Sequence, residues 1–259
     1  MDISVIIVEY MDIKILETAI LSVYGNISEL STEIIVVSNS SYSEEKKEEI
    51  QLGFKETQFI FNQKNLGFAK AVNQGIKISS GEFVMLLNPD ARLLDDSLLR
   101  AVEFMRDNAN IAVVGPMTLD GHGELHDTFR NFMSPWILVT RTFRRLLNLD
   151  SRTVLENKNF SQAQKVDWVS GGCLITKRSA IDSSGLMDER YFMYVEDMDW
   201  CKRFQQNGME VWYLPEWKIE HIGGLNSTST FNITNKLMWI HLISFCKYYL
   251  KWLGLRWSL

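Results

Sequence analysis

The chain has 259 residues, 46% of them hydrophobic and 23% charged, with a formal net charge of −5. That length holds one large α/β domain or two small ones with ample core, and the acidic balance argues against general nucleic-acid binding. The three cysteines, Cys173, Cys201 and Cys246, have neither zinc-ligand nor disulfide-framework spacing, which suits a reducing cytosol. Met1-Asp2 leads straight into strand-like sequence, so no signal peptide is expected, and no uncharged apolar run reaches the ~20 residues of a membrane span.

Ile3 to Val8 is a β-branched apolar run, read as the first buried strand. Ile13 to Val23 follows as a helix, with Ile13, Leu16, Ile20 and Val23 at helical spacing. Glu33 to Val37 is a second strand running into the polar group Ser38-Asn39-Ser40-Ser41. Glu44 to Glu49 mixes glutamates and lysines and reads as a solvated helix face with Glu-to-Lys pairing. Phe59 to Phe61 is a third, short strand. Strands alternating with helices predict an α/β fold on a mostly parallel, doubly wound sheet with right-handed crossovers.

In Asn65-Leu66-Gly67-Phe68-Ala69-Lys70, Gly67 permits a positive φ or a close backbone approach. The helix that follows opens with N–H groups suited to an anion, although an ordinary helix entry accounts for the same residues. The segment is not a dinucleotide fingerprint. That needs a glycine triplet directly after the first strand, where this chain has Glu9-Tyr10-Met11-Asp12. Phe83 to Leu87 is a continuous apolar run of the length of a buried parallel strand. Asn88-Pro89-Asp90 ends it, because proline cannot donate to a sheet ladder. Asp90 is thereby delivered to the carboxyl edge of the sheet, where open α/β sheets bind ligands.

Ser97 to Asn108 reads as a helix and Ile111 to Val114 as a strand closed by Gly115-Pro116. Residues 117 to 165 are less regular. Within them Trp136 to Leu149 predicts a helix carrying Arg141, Arg144 and Arg145, either snorkelling or contacting an anionic acceptor. Between Val166 and Ile175, Gly171 and Gly172 allow close approach of a ligand. Trp168 offers either an apolar face for a sugar ring or a core side chain. Glu196, Asp197 and Asp199 fall in the first turn of a helix, where the dipole favours carboxylates with or without chemistry. His221 stands just before Gly223-Gly224. Asn235 to Leu259 reads as one helix, with Lys236, Lys247 and Lys251 on one side and Trp239, Phe245, Tyr248, Tyr249, Trp252 and Trp257 filling much of the rest. That pattern fits a helix in a membrane interface, or one packed on the core or on a second subunit.

Taken in order, Val5-Ile6-Ile7-Val8-Glu9-Tyr10, Glu33-Ile34-Ile35-Val36-Val37, Asn65-Leu66-Gly67-Phe68-Ala69 and Leu86-Leu87-Asn88-Pro89-Asp90 resemble glycosyltransferase family 2. Within it they look like the rhamnosyltransferase-like branch, whose acidic metal motif often reads Asn-Pro-Asp where relatives have Asp-X-Asp. The resemblance runs from residue 3 to about residue 225. It implies a GT-A type nucleotide-diphospho-sugar transferase domain over residues 1–230, with a donor half to about 115 and an acceptor half from about 116, then a C-terminal amphipathic helix over 231–259.

The resemblance also implies roles for single residues. Donor contacts fall on Val8, Tyr10, Ser38, Asn39, Asn65, Gly67, Lys70, Asn73, Asn88 and Asp90, and acceptor contacts on Trp168, Gly171 and Gly172. Asp90 and His221 would hold Mg2+ or Mn2+, while Asn88, uncharged, would orient water or a sugar hydroxyl. Asp197 corresponds to the family's catalytic base, with Glu196 and Asp199 as supporting residues. The implied activity is an inverting, metal-dependent transfer of a sugar such as rhamnose from a dTDP- or UDP-linked donor to a glycan or polyprenyl-linked acceptor, in surface polysaccharide synthesis. The implied location is cytoplasmic, with peripheral contact at the inner face of the membrane.

The chain departs from the family pattern in two places that bear on the nucleotide and sugar. Glu9-Tyr10-Met11 stands where Thr-Tyr-Asn is usual, and Ser38 where an aspartate commonly contacts the nucleoside. Two other readings remain beside the first. A sugar-phosphate nucleotidyltransferase would carry a glycine-rich, arginine-containing loop after the first strand, and Glu9-Tyr10-Met11 offers none. A non-catalytic partner subunit of the same fold is suggested by Glu9, Met11 and Ser38, and opposed by Asp90, Asp197 and His221.

Overall fold

The computed structural model describes residues 1–27, 29–132, 159–222 and 236–254. β1 (Ile3–Glu9) lies between β2 (Thr32–Ser38) and β4 (Phe83–Leu87) and runs parallel to both, with Ile7 level with Val36 and Leu87. β3 (Thr57–Phe61) extends this parallel block beyond β2. Across β4 the direction changes. β11 (Cys173–Lys177) runs antiparallel to β4 and to β6 (Ile111–Leu119), and β12 (Glu210–His221) returns parallel to β6. β5 (Ala91–Leu93) closes the far side, antiparallel to β12, and the order is β3-β2-β1-β4-β11-β6-β12-β5. β7 (Leu125–His126) attaches to β6 and β9 (Gln164–Lys165) to β12, while β8 (Phe129–Arg130) and β10 (Trp168–Val169) pair separately.

The sheet is therefore mostly parallel, as the sequence predicts, but its centre holds an antiparallel strand. The segment that reads as an acceptor flank supplies it: Cys173 to Thr176 is apolar enough to be buried on both faces, and Leu174 and Ile175 are fully enclosed. A second difference concerns Gly115-Pro116, read as the end of a strand. β6 continues through them to Leu119, because β12 opposite shifts register between Leu214 and Lys218 and relieves the ladder where proline has no N–H.

Side chains alternate across the sheet at a period of two. Phe83, Met85 and Leu87 of β4 enter a core covered by α1 (Ile13–Asn26) and α4 (Leu98–Asp107), through Leu16, Ile20, Val102 and Met105. Val84 and Leu86 face the opposite core, covered by α3 (Phe68–Ile78), α5 (Arg178–Ser184) and α6 (Glu196–Gln206), through Val72, Ile76, Ile181, Trp200 and Phe204. α2 (Glu44–Gly53) is the solvated helix the charge pattern predicts, with Lys47 on Glu44 at 2.6 Å and Lys46 on Glu49 at 2.7 Å.

α7 (Lys236–Trp252) packs on the start of α6, where Phe245 and Tyr248 join Tyr191, Val195 and Met198 in a third cluster. The lysine side of this helix does not face outward as a whole. Lys247 donates to the Arg190 carbonyl and Lys251 to the carboxylates of Asp188 and Asp199, so these two cations serve internal packing. Away from the α6 contact, Trp239, Leu242 and Ile243 of α7 and Leu253 just after it are exposed. No helix among the described residues is long and apolar enough to cross a membrane. The predicted helix Trp136 to Leu149 with Arg141, Arg144 and Arg145, the pair Gly223-Gly224, and Trp257 lie outside the described residues.

Candidate active site

The carboxyl ends of β1 and β2 are tied together by Glu9. Its carboxylate is fully buried and accepts from Ser38 Oγ at 2.6 Å, Tyr42 OH at 2.9 Å, the Asp12 amide at 3.0 Å and Ser40 Oγ at 3.1 Å. Glu9 and Ser38 face each other in register, so the two strand ends share one buried carboxylate. The same bond starts α1, because the Asp12 amide rests on Glu9 while Asp12 Oδ1 accepts from Lys14 and Ile15 at 3.2 Å. Ser38 and Asn39 are buried, and Asn39 bridges to Gly67 O and to Asn62. Val8 is partly buried and Tyr10 is exposed at this edge, followed by Met11 in a left-handed conformation at φ 63°.

Gly67 enters α3 at φ 88°, and an added Cβ would stand 2.3 Å from the Phe192 carbonyl oxygen, so no other residue fits. Asn65 Oδ1 accepts the Gly67 amide at 2.9 Å and fixes this turn. The first helical amide, that of Phe68, donates to Phe192 O at 2.7 Å, so it is held by protein rather than offered to an anion. Lys70 is exposed on α3. Asn73 is not brought to the edge. It is buried, with its side chain bonded to both backbone groups of Met187 and to Glu189, and it joins α3 to the segment before α6.

Asp90 and His221 meet, as their spacing alone does not reveal. β5 begins immediately after Asp90 and pairs with the end of β12, placing Ala91 opposite His221. His221 Nε2 is 2.9 Å from Asp90 Oδ1, with Asn88 Nδ2 3.5 Å from the same nitrogen. Both side chains are partly exposed. One hard carboxylate oxygen and one imidazole nitrogen at a sheet edge suit Mg2+ or Mn2+ completed by phosphate oxygens and water. Among the described residues no group of three or more His, Cys, Asp or Glu could hold a metal ion. The ring of His126 lies 6.2 Å from that of His221 at 19°, and burial first, then His221, lowers its pKa.

The second acidic centre begins α6. Tyr194 and Val195 both adopt left-handed backbone, at φ 70° and 75°, which costs roughly 1–3 kcal/mol for each residue. Glu196 is buried, and its Oε2 has no hydrogen-bond partner among the described residues. Burial, and then the negative charge of Asp197, push its carboxyl well above the usual range. Asp197 is partly exposed. Its Oδ2 accepts from the Gly171 amide at 2.8 Å and its Oδ1 from the Met198 amide at 2.7 Å. Burial raises its pKa, against those two amides and the nearby Arg130, which lower it.

Asp199 belongs to a different place. It is fully buried and accepts from Lys251 at 2.7 Å, Trp252 Nε1 at 3.0 Å, Arg203 at 3.1 Å and Tyr191 at 3.3 Å. It anchors α7 to α6 and does not reach the edge where Asp197 lies. Trp168 is packed under Arg130, whose guanidinium is 5.8 Å from its ring centroid, with its indole nitrogen enclosed. A buried packing role thus accounts for most of that side chain.

Gly171 and Gly172 join the two centres. A Cβ at Gly171 would lie 3.4 Å from the Asp197 Cβ, and one at Gly172 would lie 3.4 Å from Asn88 Nδ2 and 3.5 Å from His221 Cε1. The Gly172 carbonyl also accepts the Asn88 amide at 2.8 Å. Four residues of this region escape sequence reasoning: His126 and Arg130, on two-residue strands too short to leave a pattern, Phe192 in a loop, and Glu9, visible only as a departure.

Strand order, an Asn-Pro-Asp turn at the carboxyl edge and a helix that begins with Glu-Asp together define a GT-A type nucleotide-sugar transferase fold. The solved structure of GalNAc-T7 with UDP, GalNAc and Mn2+ superposes with a TM-score of 0.64 at 16% identity, over 85% of this chain and 44% of that one. S. aureus TarS superposes with a TM-score of 0.61 at 16% identity, over 86% and 37%. The glycosyl transferase family 2 model matches residues 4–184, and the chain belongs to that family.

Among curated relatives, a low-salt glycan biosynthesis hexosyltransferase of Haloferax volcanii is 25% identical over 81% of this chain and 64% of its own length. The N-acetylglucosaminyl-diphospho-decaprenol L-rhamnosyltransferase of Mycobacterium tuberculosis is 28% identical over 61% and 56%, and a rhamnosyltransferase of Escherichia coli K12 is 25% identical over 62% and 60%. The chain thus spans less than two thirds of the length of these relatives.

Proposed function

We propose that the chain is an inverting glycosyltransferase that moves a sugar, rhamnose foremost, from a dTDP- or UDP-linked donor to a glycan or polyprenyl-diphosphate-linked acceptor. The observation that carries this reading is the bridge of Gly171 and Gly172, which sets Asp197 beside the corner formed by Asn88, Asp90 and His221. A transferase of this kind needs positive charge at the leaving diphosphate and a base at the attacking hydroxyl, on neighbouring sides of one opening.

Asp90 and His221 would hold a divalent cation, which when bound supplies the Lewis acidity that a departing diphosphate requires. The backbone N–H of Asn88 donates to the Gly172 carbonyl, and its side chain orients a sugar hydroxyl. Asp197 accepts the proton of the acceptor hydroxyl. The amides of Gly171 and Met198 aim its carboxylate, and the absence of a second nucleophile in this reading implies direct attack with inversion. Glu9 sets the nucleoside edge by fixing the loops at Tyr10–Asp12 and Ser38–Tyr42. The relatives' names, one with a diphospho-decaprenol-linked acceptor and one a dTDP-rhamnosyl transferase of Shigella flexneri, support this choice of donor and acceptor. In that setting the exposed Trp239, Leu242 and Ile243 of α7, with Leu253 just after it, give a face for peripheral contact with the bilayer that carries the acceptor.

The test is a panel of UDP- and dTDP-sugars incubated with the protein, with and without Mn2+, measuring slow donor hydrolysis. One donor should be hydrolysed in a cation-dependent way. Asp90→Ala should abolish that dependence and His221→Ala should weaken it. Hydrolysis at full rate in excess chelator, or its persistence in Asp90→Ala, would remove the metal assignment.

A further inference from the structure

We propose that α7 is a strap that holds the Asp197 carboxylate in position by fixing the left-handed pair Tyr194–Val195 from which α6 starts. His241 and Ser244 act as its positioning residues. The inference deepens the reading of Asp197 as the base and rests on it for its catalytic meaning.

Local sequence does not account for the way α6 begins. Val195 is its N-cap residue, left-handed and β-branched, and no side chain caps the helix there. For such a residue this backbone is an outlier that persists only where surroundings impose it. α7 supplies much of what surrounds the pair. Ser244 Oγ donates to the carbonyl of Met193 at 2.9 Å, just before it. The His241 ring lies 4.7 Å from that of Tyr194 at 33°. Phe245 and Tyr248 pack with Val195 and Met198. After the pair, Lys251 and Trp252 bind Asp199, and before it Lys247 holds the Arg190 carbonyl.

Asp197 stands two residues beyond Val195, so the direction of its carboxylate follows from the backbone at this start. The link to the rest of the site is the Gly171 amide on Asp197 Oδ2. If the pair relaxed toward ordinary backbone, the first turn of α6 would rotate and that bond would break before the sheet was disturbed. The tail helix, packed on the core, thus takes part in the acidic centre.

Amide exchange measured by NMR on the full chain tests this without any substrate, because protection of the Gly171 N–H reports where the Asp197 carboxylate sits. In a His241→Ala/Ser244→Ala variant, Gly171 should exchange at least about tenfold faster, while Ile6 and Leu86 in the central strands stay within about twofold. Ser244→Ala alone should give a smaller change in the same direction. Adding Val195→Gly removes the steric objection to left-handed backbone, and should return Gly171 to within about threefold of the parent protein. Unchanged exchange at Gly171, acceleration shared equally by Ile6 and Leu86, or no recovery with Val195→Gly would each overturn the strap. The role of Asp197 is read separately, by transfer in Asp197→Asn, so either reading can fail alone.

Discussion

Glu9 and Glu196 are both glutamates buried at the carboxyl edge of the domain, and they differ in what meets the carboxylate. Four donors from Asp12, Ser38, Ser40 and Tyr42 surround Glu9. Glu196 keeps one oxygen without a partner among the described residues and has the charge of Asp197 beside it. The first region is a finished scaffold in which every polar group is satisfied. The second holds unsatisfied charge on a helix that starts from left-handed backbone. Burial of a carboxylate therefore does not mark chemistry; incomplete satisfaction at an accessible edge does. The same contrast separates Asp197, open to the glycine bridge, from Asp199 on the same helix, enclosed by four donors from α6, α7 and Tyr191.

The sharpest way to break this comparison is to exchange each member of the second pair for its amide. Asp197→Asn keeps the shape and helix-start preference but cannot accept a proton, so transfer should fall by roughly two to four orders of magnitude. Nucleotide affinity should stay near that of the parent, since Asp90 and His221 are elsewhere. Asp199→Asn should do the opposite. It leaves Lys251 and Arg203 without their buried carboxylate and should cost about 3–5 kcal/mol in chemical denaturation. Transfer per folded molecule should change far less. If Asp199→Asn abolishes transfer in folded protein and Asp197→Asn does not, the carboxylates have been assigned the wrong way round.

Much of the donor edge is legible in the sequence because it is built from local signals. Apolar runs mark β1, β2 and β4, a proline ends β4, and Gly67 marks the one entry where a side chain cannot fit. The approach of His221 to Asp90 depends on β5 pairing with the end of β12, across more than a hundred residues, and no local pattern encodes it. β11 is hidden for a similar reason: its run is short, and only its place between β4 and β6 shows it to be antiparallel. Asn73 and Asp199 look like site residues because Asn73 lies three positions beyond Lys70 on α3 and Asp199 two beyond Asp197 on α6. Both instead turn into the interior, where neighbouring elements bind them. The tail leaves two readings open in the sequence, since which way a lysine stripe faces is not fixed until the carboxylates that receive Lys251 are known.

The satisfied side of the comparison predicts a smaller effect. Glu9→Gln replaces one acceptor oxygen by an N–H2 group, which then faces hydroxyls or an amide already acting as donors. The cost should be about 1–3 kcal/mol in stability, the range for a buried hydrogen-bonding group left mismatched. UDP or dTDP affinity should weaken with it, while the cation dependence of binding persists. A Glu9→Gln protein of unchanged stability would show that the cluster relaxes freely and is no scaffold.

The smallest effect tests the unsatisfied side, and its sign depends on pH. Burial and the Asp197 charge raise the Glu196 pKa above the ordinary 4.5, so the folded protein holds this proton more tightly than the unfolded chain. The resulting contribution to stability is complete below about pH 4.5 and is lost as pH rises through the folded value. Glutamine does not titrate and carries no charge to bury. Glu196→Gln should therefore melt close to the parent at pH 4 and above it at pH 8, by on the order of a few °C. In an Asp197→Asn background the gain at pH 8 should shrink, because the neighbouring charge has gone. It should not vanish, because burial remains the larger cause. A difference that is the same at both pH values, or a variant less stable than the parent at pH 8, would mean that Glu196 has a partner satisfying its charge, and that the two glutamates at this edge are alike after all.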